Sequence, residues 1–517
     1  MRRKSFKKYD QQQLPILPLD ISEMIPEGHL VRIVNSVIDD ISWEVFAKAF
    51  NNEGQPPYHP RMMMKVLIYS YATKLYTSRK IEKALMQDIT YMWVSGMQTP
   101  DHNTINRFRS FYFKDILEDV FTHVLDFLHD NGYIKFENYF VDGTKIKADA
   151  GKYTYVWKKN VQRYKAQLTQ SVKELLNEID KTNQHEDNEY GGKSLEELGE
   201  GKNIDSNKLK KLTEKLNKEL EEKAEKKKKR SLKSKVKKLE KKTEKLQEYE
   251  KQEQVLGKRN SFSKTDKDAT FMRMKGTDEL RAGYNQQIST ENQFVVNYSV
   301  HPNGSDTPTF KRHLKKIVDR GEKYIPKTFT GDAAYGSEEN YQALEENQID
   351  NYFKYNSFYR DIKGKNKNPF HKDNMIYDLE KDIFICPAGK QLHFFQQTET
   401  TTENGYRTRI KIYNCSDCSD CKLKEKCTKA KGNRSIQLRE ELEKYKAQAR
   451  NNLISEKGKR LCKQRGYDVE TVFGYIKFNQ DYGRFRLKGI QKAEIELGFL
   501  SISHNLRKIQ IKKSKAA

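Results

Sequence analysis

The sequence predicts an α/β protein: a mixed sheet with a helical N-terminal region, a long charged helical insertion and a Cys-rich insertion. Three observations predict it. Short apolar runs ending at Asp142 and Asp332 read as buried strands. Gln287-Ile-Ser-Thr and Gln293-Phe-Val-Val-Asn-Tyr-Ser-Val read as adjacent strands of a hairpin. Beyond residue 438 the apolar positions recur at helical spacing, as in Leu461, Val469, Val472, Phe473 and Ile476.

At 517 residues the chain exceeds one usual domain. Hydrophobic residues make up 36% and charged residues 33%, so some segments must be solvated extensions. Lys and Arg number 97 against 72 Asp and Glu, a net charge of +25, yet 29 Tyr and 25 Phe remain for a core. A basic chain that still carries core aromatics points to a folded nucleic-acid binder rather than a basic tail. The N-terminal Met1-Arg-Arg-Lys is followed by no apolar stretch, and no run approaches a membrane span. An intracellular protein, cytoplasmic and working at the nucleoid, is expected.

Residues 1–130 read as short helices. Pro60 stands near the start of an apolar one, Ser78 and Thr104 lie in two more, and Pro100-Asp101-His102-Asn103 supplies the turn and possible caps. With Arg107 and Arg109 on the last helix, this region is either a helix-turn-helix-like DNA reader or a plain packing domain. Residues 136–157 hold the strand ending at Asp142, then Lys145 and the aromatics Tyr153, Tyr155 and Trp157.

Residues 158–260 change character. Positions 201–260 carry 22 Lys and Arg against 11 Asp and Glu. Leu209, Leu212, Leu216 and Leu220 form one stripe; Leu232, Val236, Leu239 and Leu246 form another. A short antiparallel helical hairpin or coiled coil is expected, either as a basic arm on DNA or a partner, or as a solvated face.

Residues 265–355 return to globular composition. After the hairpin, Thr307-Pro308 is expected to cap a helix to about Asp319, 327–332 to form a strand, Ser337 to start a helix, and 351–355 to form a last strand. Residues 356–437 read as irregular and hold the cysteines. Residues 438–510 read as helical, with a Gly-rich basic stretch from Gly483 to Gly489 that includes Arg484 and Arg486.

A lone aspartate at a strand end is usually a turn or cap residue. Three acids in these settings say more: Asp142 in Tyr-Phe-Val-Asp-Gly-Thr-Lys, Asp332 in Phe-Thr-Gly-Asp-Ala-Ala-Tyr-Gly, and Glu470 in Val-Glu-Thr-Val-Phe-Gly-Tyr-Ile-Lys. Gly143 is expected to turn the backbone away and leave Asp142 at the sheet edge. Glu470 borders a buried helical stripe, with Lys477 two turns on and nearly on the same side. Carboxylates of this kind suit hard Mg²⁺ ions, and a pair of ions suits phosphoryl transfer on DNA.

These motifs resemble the DDE transposases of bacterial insertion sequences, whose catalytic fold is ribonuclease-H-like. The nearest likeness is to the branch named insertion sequence 1182, within the group carrying a Tyr-Arg-Glu-Lys signature. The resemblance runs over nearly the whole chain. It implies that Asp142, Asp332 and Glu470 hold two Mg²⁺ (or Mn²⁺) ions, for cleavage at transposon ends followed by strand transfer into target DNA. It also implies double-stranded DNA as partner and a homodimer that holds two ends. Lys477 matches the signature and is expected on a backbone phosphate. The signature's arginine falls four residues before the glutamate, where Gly466 stands; Arg465 is one step earlier and is read as reaching a DNA phosphate, and Tyr467 is also out of place. Trp157 is read either as a stacking partner for a flipped base or as a packing residue.

Cys386, Cys415, Cys418, Cys421 and Cys427 have paired Cys-x-x-Cys spacing, with His371 and His393 nearby. They are read as a structural Zn²⁺ site, Cys386 joining three of the later four, or as reduced thiols without a metal. Cys462 reads as an ordinary buried thiol. Two other functions are carried alongside the transposase: a catalytically decayed DNA-binding descendant, and a metal-dependent nuclease that cuts without joining.

Overall fold

The computed structural model describes residues 20–49, 58–190, 205–222, 226–363, 368–402 and 404–516. The basic N-terminus lies outside them, and so does the side chain of Leu220.

The centre is a six-stranded mixed sheet. Its strands are β1 (Asn138–Lys147), β4 (Thr270–Arg273), β5 (Leu280–Glu291), β6 (Phe294–His301), β7 (Thr328–Gly331) and β8 (Asp350–Phe353). The small pair β2 (Tyr155–Trp157) and β3 (Ser261–Ser263) lies apart. β1 runs antiparallel to β5 on one side and parallel to β7 on the other; β7 is parallel to β8, and β5 also carries β4 and β6. The predicted hairpin is β5–β6. Asn292 and Gln293 make its tight turn with positive φ, 55° and 64°.

Asp142 is not at a strand end, as the sequence reading had it. β1 continues to Lys147 against β5, while its pairing with β7 stops at Phe140. The acid therefore stands just beyond the last parallel pair, where one edge of β1 has opened. Gly143 serves a different purpose from a turn. A Cβ there would come within 2.3 Å of Asp306 Oδ1 and of Gln287 Nε2, so only hydrogen fits.

Helices cover the sheet. The predicted starts at Pro60, Ser78 and near Thr104 appear as Pro60–Ala72, Ser78–Gln87 and His102–Ser110, the last capped by Asp101 accepting from Thr104 N–H at 2.8 Å. Thr307 does not cap an α-helix: Thr307–Thr309 is a 3₁₀ turn led by Asp306, and the α-helix is Phe310–Arg320. Ser337 caps Glu338–Glu346 as expected.

The N-terminal helices share the core of the sheet. Pro60–Ala72 packs on the C-terminal helix Ile490–Ala516, which packs on β6, and one apolar cluster runs from Val31 and Leu67 through Val296 to Phe499 and Leu506. Among the described residues no helix is long and apolar enough to cross a membrane.

The charged insertion holds three helices, not the expected two: Lys158–Tyr190, Ser206–Glu222 and Lys226–Leu256. Leu209, Leu216, Leu232, Val236, Leu239 and Leu246 share a core with Val172, Leu175, Leu176 and Ile179. Its apolar stripes thus face a third helix, and most of its described lysines face solvent.

The Cys-rich segment is not irregular. It forms a five-stranded antiparallel sheet of β9 (Ile376–Asp378), β10 (Ile383–Ile385), β11 (Gln391–Thr401), β12 (Arg407–Cys415) and β13 (Ser435–Leu438). Its core is small: Met375, Phe384, Leu392, Tyr413, Cys415, Cys418 and Ile436.

Candidate active site

The three acids come from three elements. Asp142 projects from β1, Asp332 follows β7 and caps the short Ala333–Tyr335 turn, and Glu470 lies on the helix Glu456–Gly474. That helix packs on β1, β5 and β7, which brings its acid to the opened edge of β1.

What gathers them is Arg465. Its guanidinium lies 3.3 Å from Asp142 Oδ1, 3.2 Å from Glu470 Oε1 and 4.0 Å from Asp332 Oδ2. The Arg465 side chain is only 12% exposed, against 14% for Asp142, 40% for Asp332 and 57% for Glu470. A cation inside a ring of carboxylates satisfies Coulomb attraction where solvent is scarce. The sequence reading sent Arg465 to a DNA phosphate; here it faces the acids. Its offset from the signature position does not prevent this, because a long side chain on the same helix still reaches.

The two aspartates are also held by backbone. Gly143 N–H donates to Asp142 Oδ1 at 2.9 Å, and Ala334 N–H donates to Asp332 Oδ1 at 2.9 Å. Burial raises the Asp142 carboxyl above its ordinary range, and the neighbouring Arg465 and Lys275 charges offset part of that.

Lys477 lies on the π-helical turn Tyr475–Asn479 that extends the glutamate helix, and its ammonium donates to Thr144 Oγ1. Lys145 is half-buried on β1. Arg484 and Arg486 are exposed on either side of buried Phe485, in a loop that bridges to Lys147. Arg484 also pairs with Asp149 at 2.8 Å. Trp157 on β2 is partly buried, its ring 6.1 Å from those of Tyr155 and Phe271.

Arg107 is exposed, but Arg109 is buried and cannot meet DNA. It donates to the Tyr76 carbonyl at 2.7 Å and the Tyr71 hydroxyl at 3.4 Å. Tyr71 in turn donates to buried Glu496 at 2.9 Å, and Glu496 accepts from Arg486 N–H. The predicted DNA contact is a structural network tying the N-terminal helices to the C-terminal one.

Two residues escaped the sequence reading. Asp306 accepts from Asn285 and Gln287 amides at 2.6 and 2.8 Å, directly behind Gly143. Lys275 Nζ donates to the Gly143 carbonyl at 3.2 Å. Asp306 had a faint signal in Gly-Ser-Asp-Thr-Pro, an acid just before a Pro-led turn; Lys275 had none.

Cys386, Cys415, Cys418, Cys421 and Cys427 line one small cavity with Lys390, Lys424 and Arg434. None is disulfide-bonded. Arg434 N–H points at Cys418 Sγ at 3.4 Å, and Cys415 Sγ donates to the Asp417 carbonyl at 3.5 Å. Burial raises the Cys415 and Cys427 thiols. His371 instead caps the Lys372–Asn374 turn, and His393 is an exposed residue of β11. Cys462 is a half-buried thiol on the glutamate helix.

Among the described residues no three His, Cys, Asp or Glu side chains are gathered tightly enough to hold an ion as they stand. At the acids, Arg465 occupies the space between them. The donor chemistry fits hard cations all the same: three carboxylates converge on one positive charge.

Residues 385–510, which include Glu470 and Lys477, match the family model of a transposase DDE domain. Residues 19–111 match that of a transposase domain named DUF772. No curated protein and no solved structure matches the chain. Two matches, one near each end of the chain, support a DDE transposase, an enzyme with DNA as substrate.

Proposed function

We propose that the chain cleaves the ends of its own insertion sequence and joins them to target DNA by two-metal phosphoryl transfer, with Asp142, Asp332 and Glu470 as the metal ligands. The observation that carries this reading is the single guanidinium within 4.0 Å of all three acids. Acids brought from three distant segments to one point, at the opened edge of the central strand, are poorly explained as turns or caps. The sheet order β6-β5-β1-β7-β8, three antiparallel strands followed by parallel neighbours, supports a ribonuclease-H-like core.

Bound between these carboxylates, Mg²⁺ or Mn²⁺ supplies activation of a water or 3′-hydroxyl and charge stabilisation at the leaving oxygen. The chain's own residues do the rest. The Gly143 and Ala334 N–H groups fix one oxygen of Asp142 and of Asp332, and the second oxygen of each would be the one offered to an ion. Arg465 keeps the acids together. Lys477 offers a positive charge to a phosphate beside Asp142. Arg107, Lys145, Arg484, Arg486 and the three-helix insertion extend a basic surface for the duplex. Trp157 stays a candidate for base stacking. A homodimer would hold two ends together, working at the nucleoid.

We also propose that the cysteine cavity takes a structural Zn²⁺, with Cys386, Cys418, Cys421 and Cys427 as ligands and Cys415 left bonded to Asp417. Supporting this, five unpaired thiols meet in one cavity beneath a sheet whose apolar core has only seven members.

The test of joining is direct. Purified protein is given a pre-cut end with a free 3′-hydroxyl, a target plasmid and Mg²⁺. Joined products are expected. Efficient cutting of intact ends without any joining would replace the transposase by a nuclease, and binding alone would point to a decayed descendant.

A further inference from the structure

The two residues that follow Asp142 on β1 are each met by an ammonium group. Lys275 Nζ donates to the carbonyl of Gly143 at 3.2 Å, and Lys477 Nζ donates to the hydroxyl of Thr144. The lysines arrive from opposite parts of the chain. Lys275 lies in the turn joining β4 to β5, where Gly276 and Asp278 take positive φ of 92° and 50°. Lys477 lies on the π-helical turn after Glu470.

Both hydrogen-bond partners are neutral. Among the described residues neither ammonium is within ion-pair distance of a carboxylate. The two charges also feel each other: burial and the Lys275 charge together lower the proton affinity of Lys477, and the nearby Asp142 charge offsets only part of that. Two like charges held over neutral acceptors cost free energy, which an anion placed between them would return. The acids themselves are already engaged by Arg465.

We propose that Lys275, with Lys477, binds a single phosphodiester oxygen of the DNA strand beside Asp142. Lys275 is then a phosphate-binding residue. Its place in the turn between β4 and β5 brings it to Gly143, next to the residue that Lys477 meets. The ammonium is a compact point charge, suited to one oxygen rather than a bidentate grip. The inference rests on the transposase reading only for the identity of the anion as DNA.

Lys275→Gln and Lys275→Arg are compared with wild type for binding to a duplex carrying the flanking inverted repeat, in EDTA over a range of salt. Loss of one phosphate contact is expected to make the slope of log K against log salt shallower by about 0.9 in Lys275→Gln. Lys275→Arg, which keeps the charge, is expected to keep the wild-type slope, and melting temperatures of the three proteins separate this from a loss of structure. Single methylphosphonates placed around the cut site are expected to include one position that weakens wild type and Lys275→Arg but leaves Lys275→Gln unchanged. An unchanged slope and the same methylphosphonate pattern in all three proteins would overturn the assignment, even if wild type cuts and joins. A lost contact in a wild type that never cuts would uphold the phosphate site while removing the catalytic reading.

Discussion

Arg465 Nη2 lies 3.3 Å from Asp142 Oδ1, so the most buried of the three acids is already paired with a cation carried on the helix of the third. The same guanidinium holds Glu470 at 3.2 Å. A divalent ion entering this space competes with a charge about 4 Å away, worth roughly 1–4 kcal/mol depending on solvent access. Arg465→Gln should therefore bind Mn²⁺ about tenfold more tightly than wild type, by calorimetry in the absence of DNA. It should also melt lower in EDTA, since the acids then repel one another unopposed. Weaker Mn²⁺ binding in the variant would show that Arg465 assembles the ligands rather than competing for them.

The two arginines of the His102–Ser110 helix should separate cleanly. Arg109→Met leaves the buried Tyr71–Glu496 pair without its cation and should cost about 3 kcal/mol in denaturant unfolding. Arg107→Ala, on the exposed face, should stay within about 0.5 kcal/mol of wild type. If Arg107 meets DNA, only its variant weakens binding with stability intact. Equal stability of the two variants would contradict the buried network.

How much of this was legible in the sequence depends on which physical signal each element left. The strand that carries Asp142, the strand that leads to Asp332 and the helix of Glu470 announced themselves by apolar runs and helical spacing, though not the continuation of β1 to Lys147. The Cys-rich sheet did not: β11, Gln-Leu-His-Phe-Phe-Gln-Gln-Thr-Glu-Thr-Thr, has no strict alternation and lies mostly exposed. Arg109 looked like its neighbour Arg107 because burial is a tertiary property. Arg465 was judged by its place in a linear signature, yet a guanidinium on a long stem reaches the acids from one residue away. Lys275 and Asp306 reach the site only through the turn before β5 and the 3₁₀ turn after β6.

The thiol cluster predicts a metal content. Protein purified without chelator should carry about one Zn²⁺ per chain by elemental analysis. Cys421→Ser should lose it and destabilise the segment's small sheet, whereas Cys415→Ser should retain it. Protein without zinc, with every thiol open to a modifying reagent, would show reduced unliganded cysteines.

Acid should loosen the core through its buried histidines. Burial lowers His504 to about 4 and His301 to about 3, and holds His313 well below its ordinary value. Above their lowered values these groups are neutral in the folded chain, so their contribution is fully present above the ordinary value near 6.5. It is lost as pH falls from there toward the folded values, because the unfolded chain takes up protons first. At pH 5 the His504 share alone is about 2 kcal/mol. His504→Gln, which can still donate to the Gln293 carbonyl that His504 meets at 2.9 Å, should show a shallower fall of melting temperature between pH 6.5 and 5. Identical pH profiles would rule out this origin.

The central claim is that Asp142, Asp332 and Glu470 act together on DNA. Its most direct test is a denaturing gel of duplex DNA bearing the inverted repeats that flank the gene, incubated with wild type or Glu470→Gln, in Mg²⁺ or in EDTA. The account predicts cuts at the repeat tips with wild type and Mg²⁺ alone, and none with the variant, although both bind the ends. Full cleavage by Glu470→Gln, or cleavage that persists in EDTA, would contradict it.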